Sequence, residues 1–411
     1  MSKENPTIHI IGAGVSGLVA ASVLEQHGYS PTIIEATGEK GGRVKTDYVD
    51  HYQLDHGFQV LLTSYPLAQK YLDYTKLDLQ QILPGAVIYK NKKTQYIGDP
   101  LRDSSFLFST IFSSALTLRD KLKVFKLNNA LKRKTIAEIF SAKETTTIDY
   151  LSSFGFSDQA ILNFFLPFFS GIFLEDQLET SSRMFEFVYK MFGTGYAAIP
   201  KAGMKAIPNQ LKDNLKSTTF IYNTKVKSIT DRKIALSKNE TIESDYTIIA
   251  TNPTSMVNLP QQINWKSCTT LYFETPVRTI KKPLIGLVAD RSSLINNIFF
   301  HTSLATIHNP EKELLSITVV KEHQLDEQQL VDSVVQELEN LCGIKNLKLI
   351  KAYKIPAALP ENRSITNEVS KEKIKINDHV FIAGDYLMNG SLNAAMYSGE
   401  FAAKTILEEI K

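Results

Sequence analysis

A glycine-rich turn between a strand and a helix near the N-terminus constrains this chain most. Thr7–Ile11 is a short β-branched run that suits a parallel sheet. Gly12, Gly14 and Gly17 follow it with the spacing GxGxxG, ahead of an expected helix. The first glycine permits the tight turn, the second lets a pyrophosphate approach the backbone, and the third lets helix and strand pack closely. The sequence therefore predicts an α/β fold with a phosphate site at the helix N-terminus.

A carboxylate at the end of the second expected strand narrows the choice of ligand. Residues 30–36, SPTIIEA, form that strand, and Glu35 lies 18 positions after Gly17. A carboxylate there is placed to accept hydrogen bonds from ribose hydroxyls, and it would repel a 2′-phosphate. The expected ligand is therefore an ADP-containing dinucleotide other than NADP, while the pattern alone leaves both FAD and NAD open.

A second strand, turn and helix follow near the C-terminus, in FIAGDYLMNGSLNAAMYSGEFAAKTI, residues 381–406. A Gly-Asp turn and a Gly-Ser turn precede a helix rich in small residues, a layout typical of nucleotide sites. The alternative is that Asp385 and the turn at Gly390 only cap the last helix, with Asn389 or Ser391 as the N-cap. Two such units in one chain raise the question of whether they hold one ligand.

Composition excludes several classes of protein. The chain has 411 residues, 43% of them apolar, which is enough for two folded domains. A formal net charge of +3 gives no reason to expect a nucleic-acid partner. Cys268 and Cys342 stand apart, so we expect neither a disulfide framework nor a metal site. This cysteine usage and the absence of an apolar leader in MSKENPTIHI favour a cytoplasmic protein.

The segment after Glu35 carries a resemblance to a known family. Gly42 and Arg43, in ATGEKGGRVKTD, resemble the extended fingerprint of the FAD-dependent amine oxidase, carotenoid desaturase and protoporphyrinogen oxidase superfamily. The resemblance implies a Rossmann-like FAD-binding domain with an inserted mixed-sheet and helical substrate domain. It also implies that the N-terminal unit holds the ADP half of FAD and that the C-terminal unit holds its ribityl and flavin end.

The same resemblance implies roles for single residues. Asp385 would bond a ribityl or phosphate-proximal hydroxyl, and Leu392–Ala394 would bring a helix N-terminus to flavin N1 and the C2 carbonyl. Val226 would contact the adenine side, and Gly57–Gln59 would lie near the isoalloxazine ring. The expected FAD-binding residues are Gly12, Ala13, Gly14, Ser16, Gly17, Glu35, Ala36, Gly42, Arg43, Gly57, Phe58, Gln59, Val226, Gly384, Asp385, Leu392, Asn393 and Ala394.

The chain departs from the family pattern in three respects. Its C-terminal segment has no cysteine, so FAD is expected to be noncovalent. No lysine clearly matches the flavin-neighbouring lysine of the amine oxidase branch, which puts amine oxidation in doubt. The sequence GTGYAA from Gly193 lacks a third glycine and a preceding strand, so no second domain for NADPH is expected. The electron acceptor is left as oxygen, a quinone or another compound.

The remaining segments are expected to form the substrate domain. We assign residues 1–65, 193–253 and 353–411 to the FAD-binding domain, and residues 66–192 and 254–352 to the substrate domain. Residues 154–192 contain 11 aromatic side chains, clustered around FFLPFFSGIF. Such a segment either lines an apolar substrate cavity or forms the core of a helical subdomain. Core packing is the expectation for most of these side chains, with a few facing the ligand.

A basic amphipathic helix is expected between Thr117 and Lys134. Seven basic residues and one acid in residues 119–134 give an excess of +6. Such a helix could rest on an anionic membrane surface, or it could simply present a solvated face. The uncharged stretches 104–118 and 159–174 are shorter than the roughly 20 residues of a membrane span, so neither should cross a bilayer.

These features predict an FAD-dependent oxidoreductase that removes a hydride from a C–H bond of an apolar small molecule, by desaturation or by amine-oxidase-type oxidation. One alternative is a flavin isomerase or mutase without net redox change. Another is a flavin-free lipid-binding protein on the same fold. No catalytic side chain is identified; His56 could relay a proton or could merely fill space beside the flavin.

Overall fold

The computed structural model describes residues 5–99, 102–103, 113–259, 262–362 and 364–410. Its strands are β1 Ile8–Ile11, β2 Thr32–Ile34, β3 Thr46–Val49, β4 Tyr52–Asp55, β5 Leu61–Leu62, β6 Leu79–Gln81, β7 Gly85–Lys90, β8 Lys93–Gly98, β9 Ala197–Pro200, β10 Thr219–Ile221, β11 Val226–Thr230, β12 Lys233–Leu236, β13 Thr241–Glu243, β14 Tyr246–Ile249, β15 Trp265–Thr275, β16 Ile285–Val288, β17 Ile295–Phe300, β18 Glu313–Val319, β19 Lys348–Pro360 and β20 Val380–Ile382. Its α-helices are α1 Val15–Gln26, α2 Pro66–Tyr71, α3 Tyr74–Leu77, α4 Leu118–Arg133, α5 Ile136–Ser141, α6 Thr147–Phe154, α7 Asp158–Ala160, α8 Leu166–Phe173, α9 Ser182–Thr194, α10 Ala206–Asp213, α11 Glu327–Glu337, α12 Lys371–Ile374 and α13 Leu392–Ile410.

A five-stranded parallel sheet has the order β10-β2-β1-β14-β20. Its inner strands are short, rich in isoleucine and almost fully buried, as expected for a parallel sheet covered on both faces. Helices α1 and α13 cross closely where Gly399 faces Ser16. A Cβ on Gly399 would lie only 2.1 Å from the carbonyl oxygen of Ser16, so this close approach requires glycine. The sheet therefore brings segments from both ends of the chain side by side.

A seven-stranded sheet has the order β19-β15-β18-β17-β16-β7-β8. All neighbouring pairs are antiparallel except β16 and β7, which are parallel. The expected amphipathic helix in this region is α11, whose side chains Leu330, Val331 and Val334 are buried. This sheet is the mixed sheet that the sequence predicts.

One sequence-based prediction about the strands is wrong. We expected a single strand over residues 220–229, FIYNTKVKSI, whereas the structure divides this segment between two sheets. Thr219–Ile221 joins the parallel sheet, and Val226–Thr230 begins a small antiparallel sheet with β12 and β13. Asn223 between them has a φ of 53°, which ends the extended conformation.

The aromatic segment forms a helical layer from α6 to α9, in which a π-helical turn, Ile161–Phe165, joins α7 to α8. Phe165, Phe169 and Phe185 pack together in its core, with ring centroids 4.7 Å apart between Phe169 and Phe185. Helix α4 packs on this layer through Leu127 and Leu131. Most of the aromatic side chains therefore do serve core packing, as expected.

The architecture confirms the predicted fold class, a Rossmann-like parallel sheet combined with a mixed sheet and a helical layer. The assignment of individual residues to two domains stays a prediction, and strand β19 runs across its proposed boundary at residues 352–353. Within the described ranges, no helix has both the length and the apolarity needed to span a membrane. Residues 104–112 of the first apolar stretch lie outside those ranges.

Candidate functional site

A cavity of about 1660 Å³ connects the carboxyl edge of the parallel sheet to the aromatic helices. The turns after β1, β2, β14 and β20 all line one end of it. In open parallel sheets this edge, at the point where strand order reverses, is where ligands bind. The volume exceeds the roughly 300–1,000 Å³ of an ordinary small-molecule pocket, so the cavity has room for a dinucleotide and a second compound.

The three glycines of the first turn have different surroundings. Gly12 has a φ of 102°, a conformation that other residues rarely adopt. A Cβ on Gly17 would lie 2.1 Å from the carbonyl oxygen of Gly12, so only glycine lets α1 pack on the turn. A Cβ on Gly14 would meet only the Cα of Gly42, at 4.0 Å, and Gly14 lines the cavity. The open glycine is thus the one expected to face a pyrophosphate.

Glu35 lies at the carboxyl end of β2, 8% exposed and at the cavity wall. Its Oε2 accepts a hydrogen bond from the Ala13 N–H at 2.8 Å. Its Oε1 accepts from the N–H and the hydroxyl of Thr37, at 2.9 and 2.8 Å. These bonds fix the carboxylate next to the glycine turn, where a ribose would lie.

Arg43 and Asp385 join the two ends of the chain across the cavity. The Arg43 guanidinium forms an ion pair with the Asp385 carboxylate, whose side chain is 6% exposed. Arg43 also donates to the carbonyl oxygen of Ala358 at 3.2 Å and lies over the Trp265 ring, 5.0 Å from its centroid. The expected pair of site residues is therefore in direct contact, and both line the cavity.

The start of α13 combines the two alternatives that the sequence left open. Ser391 is its N-cap, since its hydroxyl accepts from the Ala394 N–H at 3.0 Å and donates to Asn389 at 2.7 Å. Leu392 lines the cavity as well. Asn393, in contrast, accepts a hydrogen bond from the Leu67 N–H at 3.0 Å and is buried away from the cavity. Capping and cavity lining therefore occur in the same turn.

The structure brings eleven of the eighteen expected residues to the cavity wall. These are Gly12, Gly14, Ser16, Glu35, Gly42, Arg43, Phe58, Gln59, Gly384, Asp385 and Leu392. The other seven, which do not line it, are Ala13, Gly17, Ala36, Gly57, Val226, Asn393 and Ala394. Most of these are buried and support the turns and the helices behind the wall, whereas Ala36 is exposed. Their contact with FAD stays a prediction.

Two polar atoms at the cavity give it unused hydrogen-bonding capacity. Among the described residues, Tyr386 Oη and Trp265 Nε1 are buried side-chain atoms without a hydrogen-bond partner, and both residues line the cavity. Buried polar groups normally find a partner, and one that lacks it is a candidate for a ligand contact. Together with the open backbone at Gly14, these atoms fit a bound nucleotide cofactor.

The far end of the cavity is apolar. Phe164, Phe168, Phe169 and Phe173 line it from the π-helical turn and α8, and Met184, Val188, Tyr189 and Phe192 line it from α9. Phe58, at the other side, contacts Phe299 with ring centroids 5.0 Å apart. Six of the eleven aromatic side chains of residues 154–192 therefore line the cavity, more than the few that the sequence predicts.

Sequence reasoning missed a lysine in the cavity wall. Lys266, at the start of β15, donates to Glu175 at 2.5 Å, and to the Phe173 carbonyl and the Thr180 hydroxyl at 3.2 Å each. All three donors of an ammonium are thereby engaged. The partners lie 86 to 93 positions away in sequence, so no local pattern could have revealed this group.

His56 does not reach the cavity. Its Nε2 lies 3.0 Å from Asp47 Oδ2, and its ring packs on Tyr353 with centroids 4.4 Å apart. Tyr353 donates its own hydroxyl proton to Asp47 at 2.7 Å. His56 is not among the cavity-lining residues, which agrees with the space-filling alternative rather than with a proton relay.

Parts of the chain are similar to curated oxidases. Over 151 residues the chain is 29% identical to mitochondrial protoporphyrinogen oxidase of Nicotiana tabacum, covering 36% of this chain and 29% of that protein. The matches span less than a third of the length of such curated relatives.

Two solved structures share the fold over almost the whole chain. An oxidoreductase from Methanosarcina mazei superposes with a TM-score of 0.73 at 14% identity, over 98% of this chain and 100% of that one. Reduced UDP-galactopyranose mutase superposes with a TM-score of 0.66 at 15% identity, over 98% and 96%. At these identities the likeness shows the fold alone.

The family described as "Flavin containing amine oxidoreductase" matches residues 15–407, nearly the entire chain. The match begins at Val15, just after Gly12 and Gly14, and includes Gly17, Arg43, the aromatic helices and the C-terminal unit. It confirms the resemblance read from the sequence. The chain therefore belongs to the flavin containing amine oxidoreductase family, and FAD is its cofactor.

Proposed function

We propose that the chain is an oxidoreductase that removes a hydride from a C–H bond of an apolar small molecule. One observation carries the proposal. A single cavity is lined at one end by the two glycine-containing units and at the other by phenylalanine side chains. A compound bound among the phenylalanines would therefore share one water-poor space with the cofactor.

The residues around the sheet edge would hold FAD. Glu35 would accept hydrogen bonds from the adenosine ribose, and Gly14 would let the pyrophosphate approach the start of α1. Arg43 and Asp385 would fix the ribityl region, since their ion pair already spans the two halves of the site. When bound, FAD supplies the two-electron acceptor that no side chain of the protein can provide.

The apolar end would bind and orient the substrate. Burying apolar surface contributes roughly 25 cal/mol per Å², whereas an uncompensated charge would be costly among these rings. Lys266 would offer the substrate no free N–H donor, because Glu175, the Phe173 carbonyl and the Thr180 hydroxyl already accept its hydrogen bonds. The protein's contribution is then to orient a C–H bond and to exclude water.

Anaerobic mixing tests this proposal directly. The purified protein would be mixed with amines, porphyrinogens and polyene or isoprenoid compounds while the flavin absorbance is recorded. We expect bleaching with at least one apolar compound and none with small polar amines. Bleaching by polar amines alone would overturn the proposal and assign amine oxidation instead.

The electron acceptor is proposed to be oxygen or a quinone. Reoxidation of the bleached flavin by each acceptor in a stopped-flow experiment would show which of them reacts faster.

The fold shared with UDP-galactopyranose mutase supports a second candidate function, that of a flavin enzyme without net redox change. Such an enzyme would turn over anaerobically without any acceptor, and its flavin would end in its starting redox state.

A further inference from the structure

Helix α4 presents three large apolar side chains to solvent in one row. Leu118 is 74% exposed, Leu122 66% and Phe125 53%. Their spacing of four and three residues places them on one face of the helix. A single exposed apolar side chain is common on protein surfaces, whereas a contiguous apolar row on one helix marks an interaction surface.

Basic side chains flank this row. Arg119, Lys126, Lys132 and Arg133 are all exposed, and within the described ranges none of them forms an ion pair. Lys134, by comparison, is paired with Glu186 at 2.5 Å. An exposed apolar ridge bordered by unpaired cations is complementary to an anionic lipid surface, which offers both phosphate groups and hydrocarbon.

The row lies at a mouth of the cavity. Leu118 and Phe125 are more than half exposed and also line the cavity, as do Lys121 and Val124 of the same helix. A side chain that meets both the solvent and the cavity marks an opening between them. An apolar compound entering here would pass directly from the surface that α4 faces to the phenylalanine-lined end.

Helix α4 is held rigidly in this position. Thr117 and Asp120 form a capping box at its start, and Asp120 also accepts from the Ser157 N–H and hydroxyl, at 2.9 and 2.7 Å. Leu127 and Leu131 are buried against the helical layer. The exposed row is therefore a fixed feature of the folded protein.

We propose that α4 docks on an anionic lipid bilayer, with Leu118, Leu122 and Phe125 inserted among the acyl chains, and that the cavity takes its substrate from the bilayer. The docking surface rests on α4 alone; the delivery route rests on the proposed function. A protein partner is less suited, because four flanking cations favour a surface with many negative charges.

Sedimentation of the FAD-loaded protein with vesicles tests the docking surface. The vesicles would consist of phosphatidylcholine alone, or of phosphatidylcholine with an equal amount of phosphatidylglycerol. We expect binding only to the anionic vesicles at low salt, and release at high salt. Leu122→Ser should lower the partition coefficient about tenfold, and Lys126→Gln with Arg133→Gln about fivefold for each charge removed.

Two matched control variants show whether an effect on vesicle binding is specific to α4. Val277 is 58% exposed and Lys233 is exposed as well, but neither lies on α4, so Val277→Ser and Lys233→Gln should bind vesicles like the unaltered protein. Equal binding of Leu122→Ser and Val277→Ser, with unchanged melting temperatures, would overturn the docking surface. Binding to a protein but to no vesicle would overturn it too.

The delivery route has its own measurement. An apolar compound that bleaches the flavin in detergent would be presented in vesicles, and Leu122→Ser should slow bleaching from vesicles while leaving the rate in detergent unchanged. Equal rates of the variant and the unaltered protein from vesicles would overturn the route. If no compound bleaches the flavin in detergent, the proposed function fails while the vesicle-binding result stands.

Discussion

Replacing Glu35 by glutamine tests two roles of this carboxylate separately. One is to bind the backbone of Ala13 and Thr37, and the other is the proposed contact with the ribose of FAD. In the structure it accepts three hydrogen bonds from Ala13 and Thr37, at 2.8 to 2.9 Å, and one side of it lines the cavity. A glutamine keeps one acceptor oxygen and turns the other into an NH₂ donor. If that donor faces Ala13, a buried backbone N–H loses its partner. If it faces Thr37, the loop after β2 loses its anchor.

The two losses have different magnitudes and different readouts. The unsatisfied backbone N–H costs about 1–3 kcal/mol in the folded protein with or without ligand, so it lowers the free energy of unfolding of the apoprotein. Loss of hydrogen bonds from the ribose to a charged acceptor costs about 1.5–3 kcal/mol only when the nucleotide is bound. The dissociation constant of FAD should therefore rise about 10- to 150-fold.

Titration of the apoprotein with FAD and with FMN measures the second loss by itself. FMN has no adenosine, so its affinity should be the same in Glu35→Gln and in the unaltered protein. Thr37→Val is a matched control, because it removes one hydroxyl but leaves the carboxylate in place. An unchanged FAD affinity, or an equal loss of FAD and FMN affinity, would refute a ribose contact at Glu35.

Three further predictions follow from the same geometry. Gly17→Ala should destabilise the apoprotein by about 1–3 kcal/mol because its Cβ would collide with Gly12, whereas Gly14→Ala should leave the melting temperature unchanged and weaken FAD binding. Burial raises the pKa of Asp55 from 3.8 to about 6, so the contribution of Asp55 to the free energy of unfolding should fall by about 2 kcal/mol as pH rises from 4 to 6; Asp55→Asn should remove that slope in denaturant titrations. Acid precipitation should release intact FAD into the supernatant, and a yellow pellet would instead reveal a covalent link.

The sequence predicted correctly those parts of the site whose residues lie close together along the chain. The glycine turn and Glu35 follow from rules on a strand, a turn and a helix within some 30 residues, and the structure places them at one sheet edge as expected. Asp385 could be paired with the N-terminal unit only through the family resemblance. Its contact with Arg43 joins residues 342 positions apart, which no periodicity can indicate.

The errors and omissions have an equally physical origin. Residues 220–229 were predicted as one strand because each half contains β-branched or aromatic residues, whereas the φ of 53° at Asn223 divides the segment between two sheets. Lys266 was missed because its partners come from the distant helical layer. The apolar row on α4 was visible in the sequence as part of an amphipathic helix, but its exposure and its position at the cavity mouth depend on packing.

The interleaved order of the parallel sheet has a consequence for how the protein is made. Strand β1 begins at Ile8, and the last strand of its sheet, β20, begins only at Val380. At about 5–20 residues per second, a ribosome completes β20 roughly 20 to 75 seconds after β1. Strands β1 and β2 lack their neighbours β14 and β10 until those segments have been made, roughly 10 to 50 seconds after β1, and unpaired apolar strands of this kind associate with other chains.

Chaperones that shield β1 and β2 during synthesis should therefore raise the yield of folded protein. Added FAD should help less at that stage, because the half of its site contributed by Asp385 and α13 does not exist until the end of the sheet has formed.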